Sequence, residues 1–195
     1  MTRIILFSGF VGSGKTSLLL EFAEYLNLKD SELKLAIVEN EIGSVGIDDQ
    51  MIKARGYDVR SLFAGCICCT MVTDLVSCIG DLMTKNLDWI IIEATGLAQP
   101  KNIAAMIEKY QHIHPRIVVV ADPVRWDKLF KVVTPLLTGQ IREAEIILVN
   151  KTDAVSPDRL ETVVKHIRDL HQSAVIHQVS TVNGGNESAW EQVSR

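Results

Sequence analysis

One stretch near the start constrains this chain more than any other. The apolar run Ile4-Ile5-Leu6-Phe7 leads into Gly9-Phe10-Val11-Gly12-Ser13-Gly14-Lys15-Thr16, and an amphipathic segment over residues 16–26 follows. This is the pattern G-x-x-x-x-G-K-S/T between a predicted strand and a predicted helix. Glycines let the backbone wrap tightly enough for its N–H groups to converge on phosphate oxygens. The helix that follows adds the positive end of its dipole. In such a loop Lys15 reaches the β- and γ-phosphates and the Thr16 hydroxyl serves Mg²⁺. A ligand-free glycine turn is the plain alternative, and the flanking elements argue against it.

The rest of the chain supports one fold class around that loop. Residues 35–38, 89–92, 117–121 and 146–149 are continuously apolar, not alternating, and 174–177 adds a short strand. Strands buried on both faces read this way, which means a parallel sheet covered by helices. Helices are predicted over 72–83 and 157–170, a further strand over 58–63, and a turn at 183–186 before a last short helix. The β-α-β alternation predicts an α/β, doubly wound, mostly parallel sheet with helices on both faces. In such sheets ligands bind beyond the carboxyl ends of the strands. Gly9, Glu39, Glu93, Asp122 and Asn150 each stand at one of those ends and define a single rim.

Composition narrows the class of partner. A chain of 195 residues, 47% apolar and 23% charged, is globular and long enough for one self-sufficient domain. The net charge of −4, without any Lys/Arg run, excludes nucleic-acid binding through a basic surface. No apolar stretch is long enough for a transmembrane helix. The first residues do not form a signal peptide, so the cytoplasm is the expected compartment. Four cysteines there read as thiols, metal ligands or redox groups before disulfides.

Four further segments carry chemistry. Asn150-Lys151-Thr152-Asp153 follows the strand over 146–149. Guanine presents N1–H and N2–H₂ donors on one edge, and the Asp153 carboxylate can accept both, whereas adenine offers no such edge. The Lys151 stem would cover the base and Asn150 would tie the loop down. At Glu93-Ala94-Thr95-Gly96 an acid ends a strand, where it can hold water on Mg²⁺ or orient the nucleophile. Gly96 allows its N–H to approach the γ-phosphate. Glu39-Asn40-Glu41-Ile42-Gly43-Ser44-Val45-Gly46-Ile47-Asp48-Asp49 is an acidic loop that suits a nucleotide-sensing switch, and composition alone equally describes a solvated surface loop. In Gly65-Cys66-Ile67-Cys68-Cys69-Thr70, three thiols within four residues form a compact set of soft ligands. Cys78 falls in a helical pattern and reads as core, and Trp89 and Trp126 read as core or surface packing rather than ligand platforms. The pair His112 and His114 reads equally as a loop and is not counted as a metal site.

Taken in order, GFVGSGKT, ENEIGSVGIDD, GCICCT, EATG and NKTD resemble the CobW-type P-loop GTPases, metallochaperones related to the HypB and UreG nickel-chaperone GTPases. The resemblance covers nearly the whole chain, and the C-x-C-C element is specific to the CobW-like branch. It implies that Gly12, Ser13, Gly14, Lys15, Thr16 and Ser17 form the phosphate and Mg²⁺ loop. Asp48 matches the switch acid near Mg²⁺, and Glu93 and Gly96 the γ-phosphate sensor; Lys15, Glu93 and Asp48 are the implied catalytic set. Asn150, Lys151 and Asp153 match the guanine reader. Cys66, Cys68 and Cys69 match the internal metal site, with Glu39 or Glu41 as neighbouring ligands. The usual GTPase acid at position 93 is Asp, so Glu is a departure. Typical members continue into a C-terminal domain; residues 1–195 are expected to hold the GTP-binding domain alone.

The expected function is GTP binding and slow GTP hydrolysis coupled to handling a metal ion, Zn²⁺ or another thiophilic divalent ion at the cysteines, for a client metalloprotein. Nucleic acid and membrane are not expected partners, and a nucleotide- or metal-dependent dimer is compatible with the resemblance. A chaperone GTPase for a cobalamin-dependent enzyme shares the nucleotide motifs but does not need three cysteines. A small-molecule P-loop kinase would not need N-K-x-D. A redox-sensing binding module, in which the cysteines pair, is separated by metal analysis before and after reduction.

Overall fold

The computed structural model describes the backbone of residues 2–39, 58–61 and 70–195, and the side chains of these apart from 58–61 and 70–74. The expected strands form one parallel sheet. They are β1 (Arg3–Ser8), β2 (Leu35–Glu39), β3 (Asp58–Ser61), β4 (Trp89–Glu93), β5 (Arg116–Ala121), β6 (Ile146–Val149) and β7 (Val175–Gln178). Their order across the sheet is β3-β2-β4-β1-β5-β6-β7, with every neighbouring pair parallel.

The continuous apolar character of the strands has its cause in two covered faces. Ile4 and Leu6 of β1 point to one face and Ile5 and Phe7 to the other, all buried. The first face is covered by α2 (Thr70–Met83), α3 (Pro100–Gln111), α5 (Thr134–Arg142) and α6 (Pro157–Leu170). The second is covered by α1 (Lys15–Lys29) and α7 (Glu187–Val193). Between them in sequence, α4 (Trp126–Val132) sets the buried Trp126 into the first face. Phe22 of α1 anchors the second face, edge-on to Trp89 with centroids 5.9 Å apart and tilted on Trp190 at 5.7 Å. Fully burying a side chain of this size contributes about 1.5–3 kcal/mol. Cys78 is half-buried and packs against the first core, as its helical position predicts.

Several boundaries shift and three helices are additional. Helix α1 runs one turn past residue 26, and α2 starts two residues earlier than the pattern predicts. The stretch over α3 carries Pro100 at its first turn and buries Ile103, Ala104 and Ile107, which is a helical stripe. Helices α4 and α5 span only 7 and 9 residues, too short for a clear period in the sequence.

Strand order sets the position of the site. From β1 the chain crosses to β2 on one side and, after β4, returns past β1 to β5 on the other. The crevice beyond the carboxyl end of β1 is therefore the topological switch point, where doubly wound sheets hold ligands. An open cleft at the opposite end, lined by Arg3, Arg116 and Arg195 among others, is already used by the chain itself. There Arg3 donates to the Ser194 carbonyl at 2.7 Å, and Arg116 to the carbonyls of Gln192 and Val193 at 3.2 Å each. Both arginines thus cap the end of α7. Among the described residues no helix is long and apolar enough to cross a membrane.

The edge strand carries a titratable group that ties stability to pH. His177 of β7 pairs with Leu148, and its Nε2 is buried without a hydrogen-bond partner. Burial pushes its pKa below the ordinary 6.5. The unfolded chain therefore takes up this proton at higher pH than the folded one. The neutral ring favours folding above that value, and the contribution is lost as pH falls through about 6.5 toward the folded pKa. Thermal melts are expected to show a falling midpoint between about pH 7 and about pH 5.5, and His177→Val should flatten that slope. A slope unaffected by the substitution would assign the effect to other groups.

Candidate functional site

All the strand-end residues singled out by sequence meet on one rim. After β1 the chain turns through residues 9–14 into α1, with Gly9, Gly12 and Gly14 at φ of 135°, 72° and 96°. Gly14 caps the helix in the left-handed region, and a Cβ there would collide with the Asn150 side-chain amide. No other residue fits that position. Among the described residues, α1 has no side-chain N-cap and no acid in its first turn. Its first N–H groups thus remain oriented along the axis into the crevice. Ser17 lies exposed on the first turn of α1.

The acids at the ends of β2 and β4 stand beside this turn. Glu39 and Glu93 are register partners on adjacent strands. Glu93 is 4% exposed, accepts a hydrogen bond from Thr16 Oγ1 at 2.9 Å, and lies 3.8 Å from Lys15 Nζ. Lys15 itself is buried at 7% exposure, so this is a desolvated cation and carboxylate facing one crevice. Such an arrangement is held by mutual charge and is ready to re-pair with a phosphate or a divalent ion. Gly96 follows, close against the loop after β1. A Cβ at Gly96 would stand 2.5 Å from the Val11 nitrogen, so only glycine permits this approach. The segment is held from behind by buried Gln140 of α5, whose Nε2 donates to the carbonyls of Gly96 and Ala98 at 3.2 and 2.9 Å.

On the other side of β1, the segment after β6 joins the same rim. Asn150 is 1% exposed and donates through Nδ2 to the Ser13 carbonyl at 2.9 Å. Lys151, at φ 60°, donates to the Gly12 carbonyl at 2.6 Å and to Asp122 Oδ2 at 2.8 Å. Asp153 lies in the short 3-10 turn Thr152–Ala154, and its Oδ1 accepts a hydrogen bond from Ser180 Oγ.

Two features here were not assigned by sequence reasoning. The first is Ser180, just beyond β7, whose Oγ also accepts the N–H groups of Val182 and Asn183 at 3.2 and 3.1 Å. Asn186 closes this loop by pairing with Ser180 and reaching Glu21 of α1 at 2.7 Å. The available signal was the small polar run after a strand at the binding rim. The second is Asp122, noted only as a strand-end acid. It accepts from Lys151 and from Arg125 Nε, each at 2.8 Å, on one oxygen. Burial works to raise the Asp122 pKa. The hydrogen bonds from Lys151 and Arg125, and then their charges, outweigh it and hold the carboxyl below its ordinary value.

The remaining expected ligands, Glu41, Asp48, Cys66, Cys68 and Cys69, lie outside the described residues. His112 caps α3, and His114 Nδ1 lies 3.3 Å from Glu108 Oε2, both at the end of the sheet opposite the rim.

Comparison with known proteins places this geometry. Residues 3–178 match the family described as CobW/HypB/UreG, nucleotide-binding domain. The chain is 31% identical over 188 residues to the zinc chaperone YjiA of Escherichia coli K12, covering 91% of this chain and 57% of that protein. It is 29% identical over 206 residues to zinc-regulated GTPase metalloprotein activator 1 of Dictyostelium discoideum, covering 82% of this chain and 42% of that one. The chain thus spans about half the length of these curated relatives. Among solved structures, the hydrogenase maturation factor HypB of Archaeoglobus fulgidus superposes with a TM-score of 0.69 at 18% identity, over 99% of this chain and 89% of that chain. HypB of Helicobacter pylori, solved in complex with nickel, gives 0.67 at 18% identity over 98% and 83%. At that identity the superpositions speak to the fold. The extent of the sequence match decides the rest: the chain belongs to the CobW/HypB/UreG family, and residues 3–178 correspond to its nucleotide-binding domain.

Proposed function

We infer that this chain binds and hydrolyses GTP and couples its nucleotide state to handling a metal ion, zinc or another thiophilic divalent ion, for a client metalloprotein in the cytoplasm. The observation that carries the nucleotide half is the direct tie between the loop after β1 and the N-K-x-D segment, with Asp153 oriented by Ser180. A phosphate cradle and a carboxylate suited to guanine stand on one rim and share their hydrogen bonds. Membership of the CobW/HypB/UreG family and the likeness to a zinc chaperone and a zinc-regulated GTPase activator support the metal half.

Residues 1–195 then act as one GTP-binding domain. The loop of Gly12, Ser13, Gly14, Lys15, Thr16 and Ser17 holds the phosphates through the Lys15 ammonium and its inward N–H groups, while the Ser13 N–H closes the turn onto the Phe10 carbonyl at 3.1 Å. Gly96 presents its N–H to the γ-phosphate, and Asp48 and Glu93 orient the reacting groups. Thr16 Oγ1 and Glu93 Oε1, 2.9 Å apart, are the hard oxygen donors that Mg²⁺ prefers, so the described residues fit this ion. When bound, Mg²⁺ neutralises charge on the phosphates. Lys15 and the loop amides are preorganised for the charge that develops during transfer. Cys66, Cys68 and Cys69 take the cargo ion, with Glu39 or Glu41 of the switch segment completing the set. That last choice supplies the coupling, because a ligand on a switch changes place with the nucleotide.

The test is a competition titration with a chromophoric chelator on reduced protein, in the GTP and GDP states. One stoichiometric Zn²⁺ site is expected in the wild type and none in the Cys66/Cys68/Cys69 triple serine variant. Affinity should differ between nucleotide states by a factor of about 5–150, and the metal should change GTP affinity by that same factor. Binding should release protons as the thiols ionise. An unchanged site in the triple variant overturns the cysteine assignment. Equal affinity in both states overturns the coupling.

A further inference from the structure

Three consecutive carbonyls of the loop after β1 are each held by a side chain from elsewhere. Asn150 Nδ2 donates to Ser13 O at 2.9 Å, Lys151 Nζ to Gly12 O at 2.6 Å, and Arg125 Nη2 to Val11 O at 2.7 Å. A peptide unit is planar and trans, so fixing a carbonyl also fixes the next residue's N–H, pointing the opposite way. The three donors therefore fix the peptides that carry the N–H groups of Gly12, Ser13 and Gly14. The Ser13 N–H closes a turn onto the Phe10 carbonyl at 3.1 Å, so it is the Gly12 and Gly14 N–H groups whose direction these bonds set for a ligand. Asn150 and Lys151 belong to the N-K-x-D segment, but Arg125 belongs to no motif in the chain.

The aim of Arg125 is set by Asp122. Asp122 is 3% exposed, and its Oδ1 accepts the N–H groups of Val124 and Arg125 at 3.0 and 3.3 Å. That locks the carboxylate at the end of β5. Its Oδ2 then accepts Arg125 Nε and Lys151 Nζ together, each at 2.8 Å. The guanidinium also covers the loop, since a Cβ on Gly12 would stand 3.2 Å from Arg125 Nη2. Arg125 spans Asp122 and Val11 with two separate nitrogens of its fork, whereas the Lys151 ammonium makes both of its contacts, to Asp122 and to Gly12, from one nitrogen.

We propose that Arg125, aimed by Asp122, is a positioning residue for nucleotide binding. It holds the Val11–Gly12 peptide so that the Gly12 N–H faces the phosphates. By sharing Asp122 with Lys151 it makes the phosphate loop and the guanine segment set together. The proposal rests on the guanine-nucleotide reading above and assigns Arg125 no contact with phosphate.

The experiment measures GDP and GTP dissociation constants and saturated kcat for wild type, Arg125→Ala and Arg125→Lys, with melting curves as the folding control. Arg125→Ala is expected to weaken GDP and GTP by one common factor of about 10, the worth of one charge-assisted hydrogen bond, with saturated kcat unchanged. Arg125→Lys keeps the charge and one donor, so a smaller loss with the same GDP-to-GTP ratio is expected. It carries the test if the alanine variant melts early. A loss confined to GTP or to kcat places Arg125 on the γ-phosphate and overturns the proposal. Unchanged affinity for both nucleotides makes Arg125 a plain capping residue and also overturns it. A wild type that binds adenine nucleotides equally well defeats the guanine reading alone, and the common loss should then appear with ADP and ATP. A wild type that binds no nucleotide defeats both.

Discussion

Lys15→Ala should cost at least about 100-fold in affinity for GTP and GDP, while the protein stays folded. Lys15 is buried at 7% exposure, with its ammonium 3.8 Å from Glu93 Oε1. A phosphate entering the crevice meets a cation already stripped of water. Hydrogen bonds between charged groups contribute about 1.5–3 kcal/mol each, so two such bonds to phosphate oxygens exceed a hundredfold. The folding cost is smaller. Removing one partner from a buried pair leaves the other uncompensated, but Glu93 keeps its bond from Thr16 at 2.9 Å. A loss of about 1–3 kcal/mol in urea unfolding is therefore expected. Isothermal titration with each nucleotide checks the binding. Retained affinity in the variant would mean that the phosphates are held somewhere other than this loop.

What the sequence revealed and what it hid divide along contact range. The loop over Gly9 to Thr16 and the segment Asn150 to Asp153 are contiguous, so their chemistry is written in neighbouring letters. The continuous apolar strands foretold a sheet covered on both faces because both faces of β1 are in fact buried. The ties between those motifs are different. The bonds from Arg125, Asn150 and Lys151 to the loop after β1 span 114, 137 and 139 residues, and no local pattern marks them. Asp122 was visible as an acid at a strand end, but its role depends on two cations brought together by the fold. Helix α3 was legible in principle from Pro100 and the stripe Ile103, Ala104 and Ile107. Helices α4 and α5 were not, because 7 and 9 residues give barely two turns of period.

The arrangement around Asp153 fixes the outcome of its substitution by asparagine. Ser180 Oγ accepts two backbone N–H groups, from Val182 and Asn183. Both its lone pairs are used, so the hydroxyl can face residue 153 only as a donor. In the wild type that donor meets Oδ1 of Asp153. In Asp153→Asn the side-chain carbonyl must turn toward Ser180 to accept it, and the amide NH₂ takes the place of Oδ2. A donor then stands where a carboxylate oxygen stood. Guanine presents donors on the edge expected to meet Asp153, so two donors would face each other and GTP affinity should fall by about 100-fold or more. Xanthine carries a carbonyl oxygen where guanine carries its amino group, and that oxygen accepts from the new amide. The variant should therefore prefer XTP to GTP, reversing the wild-type order, as read by competition against a fluorescent diphosphate. Adding Ser180→Ala removes the donor that orients the amide. The asparagine can then turn either way, and the xanthine preference should shrink toward parity without any return of GTP selectivity. An Asp153→Asn protein that still selects GTP over XTP would place guanine recognition on another group.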